Sequence, residues 1–257
     1  MTTKPDNSAQ IASPSYRLPA ADFDFLMSDS MRGVRFMVEY AKAEELLRAW
    51  GVASTVVVFG SARVKEATAW YETAREFGRI VSERGGAKLN HEGPRQNVIA
   101  TGGGPGIMEA ANRGAMEAAA PSIGFNITLP QEQEPNAYST PELTFRFHYF
   151  AMRKMHLAMR AAALVVFPGG FGTLDELFEI LTLRQTKKMP NIPVVLVDST
   201  YWNEVINFKA FVTHGMIAPS DLQLFQFADD AETAWTSLTR QGLFTYPAFQ
   251  HVTEGDR

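Results

Sequence analysis

The sequence predicts an α/β protein in which a doubly wound parallel sheet carries helices on both faces. Short apolar runs alternate with longer segments of helical periodicity along most of the 257-residue chain. The runs are almost continuous in Val, Ile, Leu and Phe, which is typical of strands buried on both faces of a sheet. We therefore expect a disordered tail at residues 1–20, followed by a single domain at residues 21–250.

The composition narrows the class of protein further. Lys and Arg number 24 against 28 Asp and Glu, so the net charge of −4 provides no basic excess for binding nucleic acid. No apolar stretch approaches the roughly 18 residues of a membrane span, and the amino terminus lacks the apolar core of a signal peptide. The absence of Cys excludes disulfides and thiolate metal ligands. We therefore expect a cytoplasmic protein that binds neither membranes nor nucleic acid.

Local patterns predict the first elements in order. Residues 1–20 are rich in Pro, Ser, Thr and Ala, so ordering them would bury too little apolar surface to offset the loss of chain entropy. From about residue 30 to residue 50, apolar residues recur at helical spacing, and Gly51 ends the pattern. This spacing predicts an amphipathic leading helix.

Strands and helices then alternate. Apolar runs predict strands at residues 55–59, 98–101, 123–127, 163–167 and 194–197. Helical periodicity predicts helices at residues 67–84, 106–119, 149–162, 173–187, 201–214 and 231–240. Two polar segments, 85–96 and 129–142, interrupt the alternation. They are either solvated connections or loops that fold over a ligand, because loops of this length in a compact domain are often functional.

Glycine marks three of the predicted junctions between a strand and the next helix. In an open parallel sheet, ligands bind at the carboxyl ends of the strands, where such junctions lie. Glycine lets the backbone approach a ligand closely, and the N–H groups of a helix amino terminus attract an anion such as phosphate. Alternatively, each junction is no more than a tight turn. The candidate ligand-binding residues are Gly60, Ser61, Gly102, Gly103, Gly104, Gly106, Pro168, Gly169, Gly170, Gly172 and Thr173.

The common signatures of nucleotide and metal enzymes are absent from the sequence. The chain has no Gly-Lys pair and therefore no P-loop, and the segment from Gly102 to Ile107 does not fit G-x-G-x-x-G. It also contains neither H-E-x-x-H nor G-x-S-x-G, the motifs of zinc proteases and α/β-hydrolases. The sequence therefore predicts no metal and no cofactor.

Glu176 has two interpretations. The segment Thr173-Leu174-Asp175-Glu176 fits a capping box, in which Thr173 caps the helix and Glu176 reaches back to the cap. In the second interpretation, Glu176 lies at the start of a buried helix beside an anion-binding loop. A carboxylate there can orient water or stabilise positive charge on a sugar. The two interpretations are not exclusive.

Arg153 is a second candidate for chemistry. The predicted helix 149–162 carries a polar stripe, which consists of Tyr149, Arg153, His156 and Arg160. Such a stripe is usually exposed, with the Ala and Met side chains of the helix facing the core. However, Arg153 falls in the first turn, near the sheet edge that carries the glycine junctions. Its guanidinium is therefore also a candidate donor to phosphate or ribose.

At this point the chain resembles a known family. Two segments resemble the LONELY GUY (LOG) family of nucleoside 5′-monophosphate phosphoribohydrolases. The first matches the motif PGGxGTxxE and reads Pro168-Gly169-Gly170-Phe171-Gly172-Thr173-Leu174-Asp175-Glu176. The second lies upstream and reads Met152-Arg153-Lys154. The segment from Thr101 to Asn112 is similar to the family's glycine-rich segment, and the resemblance covers about residues 54–200. It implies a Rossmann-like fold and hydrolysis of the N-glycosidic bond of AMP or of cytokinin nucleotides.

The resemblance also implies roles for individual residues. Glu176 would be the catalytic carboxylate and Arg153 its partner, with Met152 and Lys154 beside them at the substrate. The glycine loops would hold the phosphate, and the protein would be a homo-oligomer that needs no cofactor. Shorter members carry His-Glu where this chain has Ala151-Met152, so it looks more like the longer bacterial branch. Similar chains have been described as lysine decarboxylases, but nothing in the sequence marks a lysine for pyridoxal phosphate.

The chemistry of such a reaction suits these residues. Breaking the bond between ribose C1′ and the base builds oxocarbenium character on the sugar, which a nearby carboxylate stabilises. Contacts to the phosphate hold the substrate in place, far from the reacting carbon. The group that protonates the leaving base is not identified. The alternative function is a nucleotide or cofactor carrier of the same fold that does not hydrolyse its ligand.

Overall fold

The computed structural model describes residues 5–88, 93–129 and 134–245. Its strands are β1 (Thr55–Phe59), β2 (Val98–Thr101), β3 (Ser122–Ile127), β4 (Thr144–Phe147), β5 (Ala161–Val166), β6 (Val194–Val197) and β7 (Gln226–Ala228). They form a seven-stranded sheet in the order β4-β3-β2-β1-β5-β6-β7, and all neighbouring strands are parallel. The doubly wound α/β fold predicted from the sequence is therefore confirmed.

Helices connect the strands. The α-helices are α1 (Ser8–Ala12), α2 (Phe23–Met27), α3 (Arg32–Ala49), α4 (Ala69–Arg84), α5 (Ile107–Glu117), α6 (Phe150–Met159), α7 (Phe171–Gln185), α8 (Ser199–Val205), α9 (Phe208–Thr213) and α10 (Ala231–Arg240). The chain divides into two compact units, Met1–Lys42 and Ala43–Arg257. The whole sheet belongs to the second unit.

All five predicted strands are present, but two further strands were missed. β4 and β7 lie at the two edges of the sheet and contain only four and three residues. Each has side chains exposed to solvent, so neither shows the continuous apolar run of a central strand. Short edge strands of this kind limit pairing with other chains, and they leave little pattern in the sequence.

The predicted helix 201–214 is wrong in one respect, because the structure contains two helices there. α8 ends at Val205 and α9 begins at Phe208. Asn207 caps α9, and its side chain accepts a hydrogen bond from the N–H of Ala210 at 3.1 Å. A capping asparagine competes with a continuous helix, which explains the break.

The core lies on both faces of the sheet. Along β1, Val57 and Phe59 pack into one hydrophobic cluster, whereas Val56 and Val58 pack into a second. Adjacent residues of a strand point to opposite faces, so the two clusters lie on opposite sides of the sheet. No helix in the described part of the chain is both long and apolar enough to cross a membrane.

The first unit contains short helical segments. α1 and the 3₁₀ turns Pro14–Tyr16 and Pro19–Ala21 fall in the predicted tail, and none of them buries a residue. The predicted domain limits at residues 20 and 21–250 stay predictions. Disorder of residues 1–20 in solution stays a prediction. The leading helix is present as α3, in which Ala43 and Leu47 are buried.

Candidate functional site

The three glycine-marked junctions meet at the carboxyl edge of the sheet. They follow β1, β2 and β5, and the strand order changes direction between β1 and β5, where open α/β sheets bind ligands. Hydrogen bonds connect the junctions. The N–H of Ser61 donates to the carbonyl oxygen of Pro168 at 2.9 Å, and the N–H of Ile107 donates to that of Ser61 at 3.2 Å. The chain therefore builds one site from three separate turns.

The TGGGPG loop, residues 101–106, requires its glycines. Gly103 and Gly106 have φ angles of +71° and +69°, which side-chain-bearing residues rarely adopt. A Cβ on Gly106 would collide with the carbonyl oxygen of Ser61, and one on Gly103 would collide with the side-chain amide of Asn126. A Cβ on Gly60 would collide with the side chain of Ile107. These glycines are needed for close backbone packing, which is more than a tight turn demands.

A buried polar network supports the TGGGPG loop from below. The Thr101 hydroxyl donates to Asn112 Oδ1 at 2.7 Å and accepts from the N–H of Gly103 at 3.0 Å. Asn112 Nδ2 donates to the Ser122 hydroxyl at 2.9 Å and to the Ile123 carbonyl oxygen at 3.3 Å. Thr101, Asn112 and Ser122 are all buried. Buried polar groups that are all hydrogen-bonded favour one loop conformation.

The PGGFGT loop, residues 168–173, is more open. Gly170 and Gly172 have no other atom within 4 Å of an added Cβ, whereas Gly169 lies close to the side chain of Thr173. The phenol of Tyr201 donates to the Gly169 carbonyl oxygen at 2.8 Å. Phe171 is 93% exposed at the first position of α7. This loop therefore presents its backbone to solvent at the edge of the site.

The predicted capping box at Thr173 is wrong. The N-cap of α7 is Gly170, which has extended backbone angles and provides no side-chain hydrogen bond to the helix. Thr173 therefore lies inside the first turn rather than at its cap, and Glu176 lies one turn further on. Because Glu176 does not reach back to a cap, the capping interpretation does not explain why a carboxylate is present there.

Glu176 is a buried carboxylate in an unusual electrostatic setting. It is only 4% exposed and lines a small apolar cavity with Phe59, Leu157 and Ile180. Burial raises the pKa of Glu176 to about 7, although the positive charges of Lys154 and Arg153 act in the opposite direction. A carboxyl group with this pKa exchanges its proton near neutral pH, which is the property required of a catalytic acid or base.

Arg153 packs against the TGGGPG loop and interacts electrostatically with Glu176. Its Nε donates to the carbonyl oxygen of Phe125 at 2.7 Å, and its Nη2 would collide with a Cβ on Gly102. Burial lowers the pKa of Arg153, and the charge of Glu176 opposes that change. The guanidinium is thus fixed against β3, beside backbone that is a candidate for holding phosphate.

The polar stripe of α6 faces inward, contrary to the prediction. His156 is 1% exposed, stacks on Phe125 and contacts Phe147 in a tilted arrangement. In contrast, Ala151 and Met159 are exposed. Helical periodicity identifies two faces, but it cannot decide which face meets the protein when the inner surface carries a polar site.

Lys154 and Met152 flank Arg153 on α6. The Lys154 ammonium lies 2.8 Å from Asp175 Oδ2 and 3.0 Å from Glu179 Oε2, the two acidic residues on either side of Glu176 along α7. Burial lowers the pKa of the Lys154 ammonium, but the ion pairs with Asp175 and Glu179 together have the larger effect, and the net result is a raised pKa. Met152 is partly buried and packs against the hydrophobic core.

The structure brings most of the predicted site residues to one edge. Three residues near that edge were missed by sequence reasoning, namely Asn126, Asn136 and Tyr201. Asn136 falls in the segment 129–142, which the sequence singled out as a possible loop over a ligand, but residues 130–133 of that segment lie outside the described residues. Nothing in the sequence near Asn126 or Tyr201 marks a site, because their placement depends on the order of the strands.

The described residues contain no group of three or more His, Asp or Glu side chains arranged to hold a metal ion. The absence of a metal or cofactor requirement stays a prediction.

The fold defines a Rossmann-like α/β protein, and its candidate ligand site lies at the topological switch point. Residues 108–238 match a family whose description is possible lysine decarboxylase. This match covers half of the chain, and the relatives carry LOG names, so the chain belongs to the LOG family. The resemblance found in the sequence is confirmed.

Two plant relatives illustrate the similarity. The chain is 27% identical to the probable cytokinin riboside 5′-monophosphate phosphoribohydrolase LOG4 of Oryza sativa subsp. japonica, over 74% of this chain and 78% of that protein. It is 26% identical to the cytokinin riboside 5′-monophosphate phosphoribohydrolase LOG7 of Arabidopsis thaliana, over 77% of this chain and 85% of that protein.

Two solved structures share the fold. One is the molybdenum cofactor binding protein from the phototrophic bacterium Rippkaea orientalis, with a TM-score of 0.50, 19% identity and coverage of 73% of this chain and 95% of that chain. The other is the structural-genomics target TM1055, with a TM-score of 0.50, 21% identity and coverage of 73% and 99%. At these identities the likeness concerns the fold alone.

Proposed function

We propose that the protein hydrolyses the N-glycosidic bond of nucleoside 5′-monophosphates, such as AMP or a cytokinin riboside monophosphate, to the free base and ribose 5-phosphate. The observation that carries the proposal is Glu176, a buried carboxylate whose pKa is raised to about 7 beside Arg153 and the glycine loops. The capping interpretation does not account for it. The activity named for the LOG relatives supports the same reaction.

The substrate phosphate would bind at the glycine loops. The amino termini of α5 and α7 follow the TGGGPG and PGGFGT loops directly, so their N–H groups and helix dipoles favour an anion. The Ser61 backbone bonds to the PGGFGT loop and to the start of α5, and its hydroxyl, which accepts from the N–H of Arg63 at 3.0 Å, would add a donor to the phosphate. Binding through the phosphate would place the ribose at a fixed position relative to Glu176, which converts binding energy into orientation.

Glu176 would act in its ionised form on the sugar. As the bond between C1′ and the base nitrogen breaks, its electron pair leaves with the base and positive charge develops on C1′ and the ring oxygen. The carboxylate stabilises this charge, and a water oxygen then forms the new bond to C1′. One proton of the water is lost to the base, and the other stays on the new hydroxyl group. The charge of Arg153 beside Glu176 favours the ionised carboxylate.

The test is a nucleotide panel assayed by chromatography. We expect base and ribose 5-phosphate to appear in equal amounts from at least one of AMP, GMP, IMP, CMP and prenylated AMP. Adenosine serves as the matched control, and we expect its turnover to be much slower because it lacks the phosphate. A protein that binds these nucleotides and returns them intact would be a carrier of the same fold, which contradicts the proposal.

We also propose that the protein is a homo-oligomer, as its LOG membership suggests. α7 and α9 expose neighbouring aromatic side chains, Phe178 and Phe211, whose ring centroids are 6.5 Å apart. With Phe171 at 93% exposure, this is apolar surface that association would remove from water. Light scattering at micromolar concentration should give at least twice the chain mass of 28.5 kDa. A fully active monomer would contradict this proposal.

A further inference from the structure

Asn136 connects the segment after β3 to the TGGGPG loop. Its backbone N–H donates to the Gly103 carbonyl oxygen at 2.8 Å, and its side-chain Nδ2 donates to the Gly104 carbonyl oxygen at 3.1 Å. The same Nδ2 donates to Asn112 Oδ1 at 3.0 Å. One residue therefore holds two consecutive carbonyl groups of the loop and also joins the buried network beneath it.

The side-chain oxygen of Asn136 fixes the orientation of the Asn136 side chain. Oδ1 accepts hydrogen bonds from the N–H groups of Tyr138 at 3.1 Å and Ser139 at 3.2 Å. This is a local turn in which a side chain replaces a backbone acceptor. Asn136 satisfies all of its amide positions at once, so its orientation toward the loop is set by both the turn and the network.

The contacts of Asn136 determine where the loop's donors point. In a trans peptide the N–H lies opposite the carbonyl group. Because the backbone N–H of Asn136 holds the carbonyl of Gly103, the N–H of Gly104 points away from Asn136. The side-chain amide holds the carbonyl of Gly104, whose peptide partner Pro105 has no N–H, so this contact fixes the turn that carries the Gly104 N–H. Within the described part of the chain, the N–H groups of Gly104 and Gly106 donate to no acceptor. Free N–H groups at a helix amino terminus form an anion-binding concavity.

We propose that Asn136 is a positioning residue that holds the N–H of Gly104 in the TGGGPG loop toward the phosphate of the substrate. This inference rests on the proposed function for its substrate, but it concerns binding rather than hydrolysis. It also gives a role to one described residue of the predicted loop 129–142, because Asn136 contacts the loop that would hold the ligand.

Asn136→Asp tests the side-chain donations of Asn136 with the smallest change in shape. Aspartate keeps an oxygen for the N–H groups of Tyr138 and Ser139, but it loses both donations of Nδ2. The backbone donation to Gly103 remains, but the side-chain bonds that hold the Gly104 carbonyl and anchor Asn136 to the buried network are lost. We expect the KM for AMP and the Kd for ribose 5-phosphate to rise about tenfold, with kcat within about threefold of wild type, because these bonds keep the loop in its binding conformation. Asn136→Ala tests the same donations without adding a charge, and we expect the same direction.

The matched control is Asn203→Asp. Asn203 is exposed on α8, and its amide donates to the Ser199 carbonyl oxygen at 2.7 Å. We expect wild-type constants for this variant. The Kd for ribose 5-phosphate is measured by calorimetry, and the melting temperature of each variant is recorded beside it.

Several results would overturn the proposal. Unchanged Kd in Asn136→Ala would show that the loop does not depend on the amide, even if Asn136→Asp repels the ligand by its charge. A weaker Kd that appears only together with a large fall in Tm or kcat would assign Asn136 a purely structural role. If wild type binds ribose 5-phosphate but releases no base, the proposed hydrolysis fails, and the Kd comparison still decides the role of Asn136.

Discussion

The two glycine loops of the site differ in how firmly the protein holds them. The TGGGPG loop is buried, has two glycines with positive φ, and is bound by Thr101 below and Asn136 at its side. The PGGFGT loop leaves Gly170 and Gly172 open and depends on Tyr201 for a side-chain hydrogen bond. The difference suggests that the two loops have different roles in the site. In the proposed function, the TGGGPG loop would form the firmly held part of the phosphate site, and the PGGFGT loop would form its open part at the start of the helix that carries Glu176.

The largest expected effect concerns Glu176 itself. Glu176→Gln keeps the length of the side chain but removes its charge, so we expect kcat for AMP to fall by about 10²-fold or more. Binding of AMP by calorimetry should change little, because the phosphate contacts remain. Near-wild-type release of adenine from the folded variant would refute the catalytic role.

The pH dependence of the melting temperature of Glu176→Gln provides a control, because the direction of the expected change is known. Burial raises the pKa of Glu176 from 4.5 to about 7, so the folded state binds the proton more tightly than the unfolded state. Stability from this group is complete below pH 4.5 and is lost as the pH rises through about 7. Glutamine cannot ionise. Glu176→Gln should therefore melt at an equal or higher temperature than wild type at pH 8, and the advantage should shrink at pH 5.

A pair of glycine variants tests the contrast between the loops directly. A Cβ on Gly102 would displace the guanidinium of Arg153, which is the end of a flexible side chain, so Gly102→Ala should fold while losing at least about tenfold in kcat/KM. Gly170 has a φ of −93° and no protein atom near an added Cβ, so Gly170→Ala should keep the stability of wild type and lose less kcat/KM than Gly102→Ala, because no side chain is displaced. Equal losses in both variants would remove the distinction between a rigid and an open loop.

Tyr201 tests how much support the open loop needs. Tyr201→Phe removes the hydrogen bond to Gly169, which is worth about 1 kcal/mol, and we expect kcat/KM to fall about fivefold. Tyr71→Phe is the matched control. The Tyr71 hydroxyl donates to Glu109 Oε1 at 2.9 Å and makes no hydrogen bond to the PGGFGT loop in the described residues. A larger effect in the control than in Tyr201→Phe would show that Tyr201 does not position the loop.

The smallest expected effect is a shift in pH dependence. Lys154 lowers the pKa of Glu176, so Lys154→Met should raise that pKa and move the acidic limb of the kcat profile to higher pH. The loss of Lys154 also leaves Asp175 and Glu179 unpaired beside Glu176, which acts in the same direction. Lys209→Met, on the exposed side of α9, should leave the profile unchanged. A shift toward lower pH in Lys154→Met would contradict this account.

The sequence by itself determined the alternation of strands and helices and the three glycine junctions. Local physics is sufficient for these features, because buried strands need continuous apolar residues and backbone with positive φ favours glycine. Residues 55–59, 98–101 and 194–197 agree with the observed strands to the residue. The motif around Glu176 was also sufficient to identify the LOG family.

Only the tertiary structure decided what these residues contact. The start of α7 at Phe171 removed the cap interpretation of Glu176, and the packing of α6 turned Arg153 inward against the carbonyl of Phe125. Asn136 meets Gly103 although the two lie far apart in the chain. Such contacts arise from strand order and helix packing, which bring distant segments to one sheet edge, and no local pattern in the sequence encodes them.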